Sequence, residues 1–382
     1  MIRSRRQFLH SLGVGAAAGV AVRSPLDAVA ASVGEPARAG QPAGPIFLDS
    51  NENAYGPSPK VADAIRSATS TVNRYAFRKD AEVTERIAAS HGVKPGQVLF
   101  GCGSTELVRA AACAFLGSGR QLIQAWPTYE APQDYARSLG AEVVSVPLDQ
   151  RHAHDLHAML DRATAATGLI YICNPNNPTA TITPRREIES FIGKLPSTSK
   201  VLIDEAYHHY AATSGMYASF IDLPLGDERV IVTRTFSKVY GLAGLRLGYA
   251  VASAATIESM RKFMTQNSLN AIVAQVVGTA IDDADSIQKF IKRNADDRQE
   301  FFNQAMARML MPIDSHANFV MTNTQHHANE VIEHFRKHNV LIGRHFPPMD
   351  MYIRVSLGTP EEMRTFWRTW DMLPWSKKFT HH

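Results

Sequence analysis

Cysteine is scarce, with only Cys102, Cys113 and Cys173 in 382 residues. An odd number without CxxC spacing argues against both a disulfide framework and a zinc cluster. The formal net charge of +4 is small, and no dense Lys/Arg run is interleaved with aromatics, so no nucleic-acid face is expected. An uncharged run from Ser11 to Val22 is too short, and too rich in Gly and Ala, to span a bilayer permanently. There is no internal repeat. His152, His154 and His157, and likewise His326 and His327, lack acidic or cysteine partners at fixed spacing. They are expected on solvated helix or loop faces, with no metal. What is present is ordinary globular material, 45% hydrophobic and 20% charged, which can bury a large core. At this length the chain is expected to divide into a large domain and a smaller one.

The amino terminus reads as an address. Ser4-Arg5-Arg6-Gln7-Phe8-Leu9 is followed by the apolar run and then by Ala28-Val29-Ala30, a small-x-small cleavage pattern. Residues 1–30 therefore resemble a bacterial twin-arginine signal peptide, which implies export machinery as a partner and a periplasmic or otherwise exported protein. That route is associated with proteins that fold and load a cofactor before export. Residues 31–45, rich in Pro, Gly and Ala, are expected to form a flexible leader. The expected divisions after that are an arm at 46–71 belonging to the smaller domain, a large domain at 72–270, and the rest of the smaller domain at 271–382.

Apolar runs bounded by Gly, Pro or Asn predict strands at Gln97–Phe100, Arg120–Gln124, Glu142–Val146, Gly168–Cys173, Val201–Asp204, Arg229–Thr233 and Leu247–Val251. Helical stretches between them predict crossover connections, hence an α/β domain with a mostly parallel sheet covered on both faces. Ligands of such sheets sit at the carboxyl ends of the strands. After Asn270 the pattern turns to long amphipathic helices, with short strands near Asn318–Thr322 and Tyr352–Val355, as expected of a smaller α+β domain.

The residues that carry chemistry lie at the expected strand ends. Thr235-Phe236-Ser237-Lys238, followed by Gly241-Leu242-Ala243-Gly244-Leu245-Arg246, brings two hydroxyls, an amine and a guanidinium out of one strand end. An anionic phosphate is the natural guest there, and a lysine beside it can form a Schiff base with an aldehyde. Asp204 ends another apolar strand, with Tyr207 three residues on. A carboxylate buried there needs a cation, and a protonated pyridine nitrogen is one. Asn177, from Asn174-Pro175-Asn176-Asn177-Pro178-Thr179, could join Tyr207 in binding a phenolic oxygen on the same ring, although Asn and Pro favour a tight loop in any case. Gly101-Cys102-Gly103-Ser104-Thr105 opens a helix and offers free amides to a phosphate, with Ser104 or Thr105 as the helix cap. Tyr129 could stack on the ring or belong to the core.

Taken in order, these stretches resemble the fold-type I pyridoxal-phosphate (PLP) aminotransferases of class I/II, and within them the histidinol-phosphate aminotransferase subgroup. The matched pieces run from Asp49-Ser50-Asn51-Glu52-Asn53-Ala54-Tyr55-Gly56-Pro57 to Ile353-Arg354-Val355-Ser356-Leu357-Gly358-Thr359. The resemblance implies Lys238 as the Schiff-base lysine, Asp204 on the pyridine nitrogen, and Tyr207 and Asn177 on the phenolic oxygen. It further implies that Gly103, Ser104, Thr105, Thr235, Ser237 and Arg246 surround the phosphate, with Tyr75 reaching it from the second subunit of a homodimer. Arg354 would grip the substrate α-carboxylate, a bidentate task for which lysine is poorly shaped, and Tyr55 and Asn177 would be further substrate contacts. The implied reaction moves an amino group between an amino acid and a 2-oxo acid in ping-pong fashion.

Several positions depart from the subgroup's pattern. Arg74-Tyr75-Ala76-Phe77 stands where Arg-Tyr-Pro-Asp/Glu is usual, Ala180 replaces a glycine, and His208-His209-Tyr210 replaces a glutamate and an aromatic. These bear on the substrate rather than the cofactor. Histidine synthesis is cytosolic, so export argues against that pathway. A decarboxylase resembling threonine-phosphate decarboxylase, a PLP-dependent amino-acid oxidase, and an exported binding protein without turnover are the alternatives. Retention of Lys238, Asp204 and Arg354 together speaks against the last.

Overall fold

The computed structural model describes residues 44–375; the twin-arginine stretch lies outside the described residues. In chain order the strands are β1 (Ile46–Leu48), β2 (Val98–Gly101), β3 (Gln121–Trp126), β4 (Glu142–Pro147), β5 (Thr167–Cys173), β6 (Lys200–Asp204), β7 (Val230–Thr235), β8 (Gly248–Val251), β9 (Met311–Pro312), β10 (Phe319–Asn323), β11 (Val340–Ile342) and β12 (Tyr352–Ser356). Seven of them form one sheet in the order β2-β8-β7-β6-β5-β3-β4. All neighbours from β7 to β4 pair in parallel, and only β8 runs against its neighbours. This is the mostly parallel α/β sheet that the apolar runs predicted, strand for strand.

Alternation along each strand sends side chains to two separate cores. Ile123, Ile170, Ile172, Val201, Ile203 and Val232 join one core with the helices Asp80–Ser90, Arg185–Lys194 and Ala271–Asp282. Leu122, Leu169, Tyr171, Leu202 and Ile231 join another with the helix Ser104–Phe115. All seven residues of β5 are buried, as required of a strand covered on both faces.

A third core holds Leu48, Phe301, Val320, Phe335, Phe366, Trp367 and Trp370. It lies with the antiparallel sheet β12-β10-β9 and the two-stranded pair β1-β11. Because β1 pairs in parallel with β11, the segment Asp49–Glu52 emerges directly from this smaller assembly.

Six of the seven strands of the large sheet point one way, so their carboxyl ends form a single edge. Gly101, Trp126, Cys173, Asp204 and Thr235 all end strands there. The reversed β8 begins at that edge instead, with Gly248 opposite both Gly101 and Thr235. The reversal brings Arg246, two residues before Gly248, to the place where the other loops emerge.

Candidate active site

An open cavity of about 990 Å³ lies at this edge, and Ser104, Thr105, Tyr129, Asn177, Asp204, Tyr207, Thr235, Ser237, Lys238, Arg246 and Arg354 all line it. The cavity thus joins these residues, up to 250 positions apart, most of them from the strand ends of the large sheet and Arg354 from β12.

Asp204 is 3% exposed, with Oδ2 accepting from the Tyr171 hydroxyl at 2.9 Å and Oδ1 from the Ala206 amide at 3.1 Å. Burial raises its carboxyl to about 6, as expected of an anion withdrawn from water without a cation of its own. Lys238 is half-buried, and its Nζ donates to the carbonyls of Asn51 at 3.0 Å and Ser50 at 3.3 Å. Burial, and next the Arg354 guanidinium, bring this amine down to about 8. The lysine is thereby held by neutral acceptors rather than a carboxylate, which leaves its free-base form accessible near neutral pH. The Tyr207 hydroxyl accepts from Asn51 Nδ2 at 3.0 Å, so its own proton remains available for donation.

The phosphate-type donors cluster separately. Thr235 Oγ1 donates to Ser237 Oγ at 2.9 Å, and Arg246 Nη1 reaches the same Oγ at 3.3 Å. Arg246 adopts the left-handed backbone at φ 57°. Its guanidinium packs over Gly103, in the space a Cβ at that position would take. Gly103 itself is the helix N-cap at φ 76° and provides no side-chain cap. The expectation that Ser104 or Thr105 caps the helix is therefore corrected: Ser104 is its first residue, and Thr105 Oγ1 shares a 3.0 Å hydrogen bond with the Tyr129 hydroxyl.

Arg354, on β12, is 8% exposed. Nη1 donates to Asn177 Oδ1 at 2.7 Å and Nη2 to the Asp49 carbonyl, while Nε is buried without a partner among the described residues. Burial lowers its guanidinium to about 10. The Asn177 amide oxygen is thus engaged by the arginine, a contact the sequence reading did not assign.

Tyr55 and Tyr75 stand apart from this group. Tyr55, 37% exposed, is not among the cavity-lining residues; its hydroxyl donates to Asp297 Oδ2 at 2.7 Å and accepts from Arg293 Nε at 2.8 Å. In its own chain Tyr55 therefore lies outside the cavity, held by the Arg293–Asp297 ion pair. Tyr75 is 77% exposed and touches no part of the cavity of its own chain.

Sequence reasoning missed other residues. Tyr171 reads as core, yet it holds Asp204. Asn51 binds both Tyr207 and, through its carbonyl, Lys238. Behind the edge, Arg234 Nε meets Glu205 Oε2 at 3.0 Å, and Arg234 Nη2 meets Asp222 Oδ2 at 3.1 Å. The first pair ties the residue after Asp204 to the residue before Thr235, fixing β6 against β7 where their functional groups emerge. His208, facing Asp222 at 3.5 Å, is pushed down to about 3 by burial and by Arg234. His154 departs from its expected solvated place. It is 2% exposed, bonded to the Cys173 carbonyl at 2.9 Å, and lowered by burial to about 4. Among the described residues no cluster of His, Cys, Asp or Glu suits a metal.

The aminotransferase class I and II profile matches residues 44–369. The chain belongs to aminotransferase class I and II. It is 35% identical to histidinol-phosphate aminotransferase 2 of Carboxydothermus hydrogenoformans over 84% of this chain and 88% of that protein. It is 34% identical to the aromatic amino acid aminotransferase of Rhodococcus jostii strain RHA1 over 85% and 88%. The crystal structure of histidinol-phosphate aminotransferase from Sinorhizobium meliloti in complex with pyridoxal-5'-phosphate superposes with a TM-score of 0.79 and 25% identity, covering 85% of this chain and 89% of that one. The protein is a PLP-dependent aminotransferase of fold type I.

The residues present fit this cofactor. Asp204 is a buried anion lacking a cation, Lys238 is an amine held only by carbonyls, and the Arg246–Ser237–Thr235 cluster beside the Ser104 helix end offers donors to a phosphate. When bound, PLP supplies an aldehyde that takes up amines and a ring that withdraws electrons. With it bound, Asp204 would be the anion toward the ring, the Lys238 amine would be within reach for proton transfer, and Arg354 would be a cation open to a carboxylate.

Proposed function

We propose that the protein is an exported, homodimeric aminotransferase that takes its amino group from a 2-amino acid with a ring-bearing side chain and passes it to a 2-oxo acid. In this reading Lys238 binds the cofactor and moves the proton, Asp204 faces the ring nitrogen, and Tyr207 and Asn177 serve the phenolic oxygen. Gly103, Ser104, Thr105, Thr235, Ser237 and Arg246 form the phosphate seat, and Tyr129 is the stacking platform. The observation that carries the substrate class is Arg354. It is a buried guanidinium with an unpartnered Nε at the wall of the same cavity as Lys238, flanked by the rings of Phe346 and Phe319 at 4.7 and 5.5 Å. A carboxylate can meet the cation while a flat side chain packs nearby. The relatives named for histidinol phosphate and for aromatic amino acids both carry rings on their donors, which supports the same class. The test is a panel of amino acids assayed with purified protein for 2-oxo acid, carbon dioxide and peroxide. Ring-bearing donors should yield the 2-oxo acid alone; release of carbon dioxide or peroxide at the same rate would replace transamination with decarboxylation or oxidation.

The dimer is supported by Val72, Tyr75 and Phe77, which leave an apolar stretch open to solvent, and by Tyr75 lying outside its own cavity. Mixing inactive Lys238→Ala and Tyr75→Ala proteins should restore activity through hybrids with one intact site, whereas a fully active monomer in sedimentation would refute shared sites. Export rests on Arg5-Arg6 and Ala28-Val29-Ala30. Changing both arginines to lysine should trap the protein inside the cell, and equal export of that variant would remove the signal reading.

A further inference from the structure

Beyond the cofactor cradle, the cavity holds an ion pair to which the roles above give no task. Arg344 Nη2 binds the carboxylate of Glu130, and Arg344 Nη1 donates to the His345 carbonyl at 2.8 Å. Both residues line the cavity, although they stand 214 positions apart. The Arg344 guanidinium lies 4.2 Å from the centre of the Phe346 ring, and Arg354 lies 4.7 Å from the same centre. Two cations therefore flank one ring at the substrate end of the site. They feel each other: Arg344 lowers the Arg354 guanidinium, while Asp49 and Glu130 oppose that effect.

A pair of guanidinium groups spaced across a ring is a receptor for a dianion, one end at each cation. In this chain the second cation already has its anion. A donor carrying a side-chain carboxylate or phosphate would have to displace Glu130 or lie beside it against like charge. A neutral ring meets no such obstacle and gains the Phe346 face. We propose that Glu130 is a specificity-determining residue: by occupying Arg344 it makes the site discriminate against donors with a distal anionic group and favour neutral ring-bearing ones. Glu130 acts through Arg344 and is in that sense a positioning residue. The pair is partly open to solvent, at 51% and 34% side-chain exposure, so the discrimination is of tens of fold rather than thousands.

The proposal rests on the reading that Arg354 holds the α-carboxylate, and the experiment separates the two. With the holoenzyme, the amino-donor half-reaction is followed in single turnovers for phenylalanine, glutamate and histidinol phosphate. Binding of glutarate and 3-phenylpropionate is measured alongside by calorimetry. Glu130→Gln should raise the glutamate-to-phenylalanine ratio of kcat/KM about tenfold or more, mainly through KM, and should tighten glutarate but not 3-phenylpropionate. Histidinol phosphate, whose side chain is a neutral ring and whose phosphate stands on the carbon that replaces the α-carboxylate, should change little and serves as a control. Glu130→Asp should restore discrimination, and Glu130→Gln combined with Arg344→Gln should lose the gain. Because phenylalanine reports on the same protein sample, damage to folding lowers both donors and leaves the ratio readable. An unchanged ratio in Glu130→Gln, a gain that survives in the double variant, or a wild type that already prefers glutamate overturns the proposal. Arg354→Ala should depress glutamate and phenylalanine alike; if it affects neither, the α-carboxylate reading fails while the Glu130 ratio still stands or falls by itself.

Discussion

In a Lys238→Ala variant, multiple turnover is expected to fall by roughly 10⁴-fold or more, because the residue that anchors the cofactor and moves the proton is lost in one step. The phosphate seat is untouched by this change, so the variant should still take up PLP, now removable by dialysis. Borohydride treatment of the wild-type protein should fix the cofactor to one peptide, the one containing Lys238; a labelled peptide bearing another lysine would sink the assignment. The pH dependence follows from the same surroundings. Burial and Arg354 hold this amine near 8 rather than at its ordinary 10.5. A lowered value means the neutral, nucleophilic form prevails above about pH 8 and is lost as pH falls through it. Cofactor capture by the apoprotein should therefore quicken between pH 7 and about 8 and then level off, as read by absorbance. A rate still climbing steeply past pH 9 would show the amine to be unperturbed.

Arg354→Ala should lower kcat/KM for amino acids by roughly a hundredfold, equivalent to about 2.8 kcal/mol at 1.4 kcal/mol per decade. Two features justify so large a figure. The guanidinium is nearly buried, so its hydrogen bonds to a carboxylate form away from water, and its partners Asn177 and the Asp49 carbonyl hold it in place. Removing it also strands Asn177 Oδ1 without its donor. PLP should still bind, since Asp204 and Lys238 keep their hydrogen-bonding partners, while the Lys238 amine should titrate higher without the neighbouring cation. Arg354→Lys should recover little, because an ammonium cannot replace a planar fork. An amino alcohol such as histidinol phosphate, lacking the α-carboxylate, should suffer much less in its own half-reaction. Equal activity of wild type and Arg354→Ala toward every carboxylate substrate would show the anchor to be elsewhere.

The large sheet was legible because most of its strands are short apolar runs with turn-forming boundaries, and the central ones, such as β5 and β6, are buried along nearly their whole length. The reactive side chains were legible because they follow those runs directly: Asp204 after Val201-Leu202-Ile203, and Lys238 after the strand ending at Thr235. Pairings between distant segments were not. Nothing in the composition around Glu130 points to Arg344, and Tyr171 is chemically indistinguishable from its buried neighbours until β5 is laid beside β6. Ser104 looked like a cap because Ser caps helices well, but the left-handed glycine before it took that position and left the hydroxyl uncommitted. Ala180 shows a departure the sequence could flag without explaining. It stands at φ 61° and fully buried, a conformation that glycine adopts freely and that costs alanine about 1 kcal/mol.

The segment that leaves β1 grips the two key cations through its main chain: Ser50 and Asn51 receive Lys238, and Asp49 receives Arg354. Carbonyl oxygens are the same in every amino acid. An alanine scan across 49–51 would leave all three acceptors in place and would report instead the loss of the Asn51 side chain from Tyr207 and Ser356, the strain of alanine at φ 55°, and the loss of the Asp49 charge beside Arg354. The contribution of this segment is encoded in the path of the chain rather than in its letters. A proline inserted there, or a one-residue deletion that shifts β1 along β11, would reveal what side-chain substitution leaves hidden.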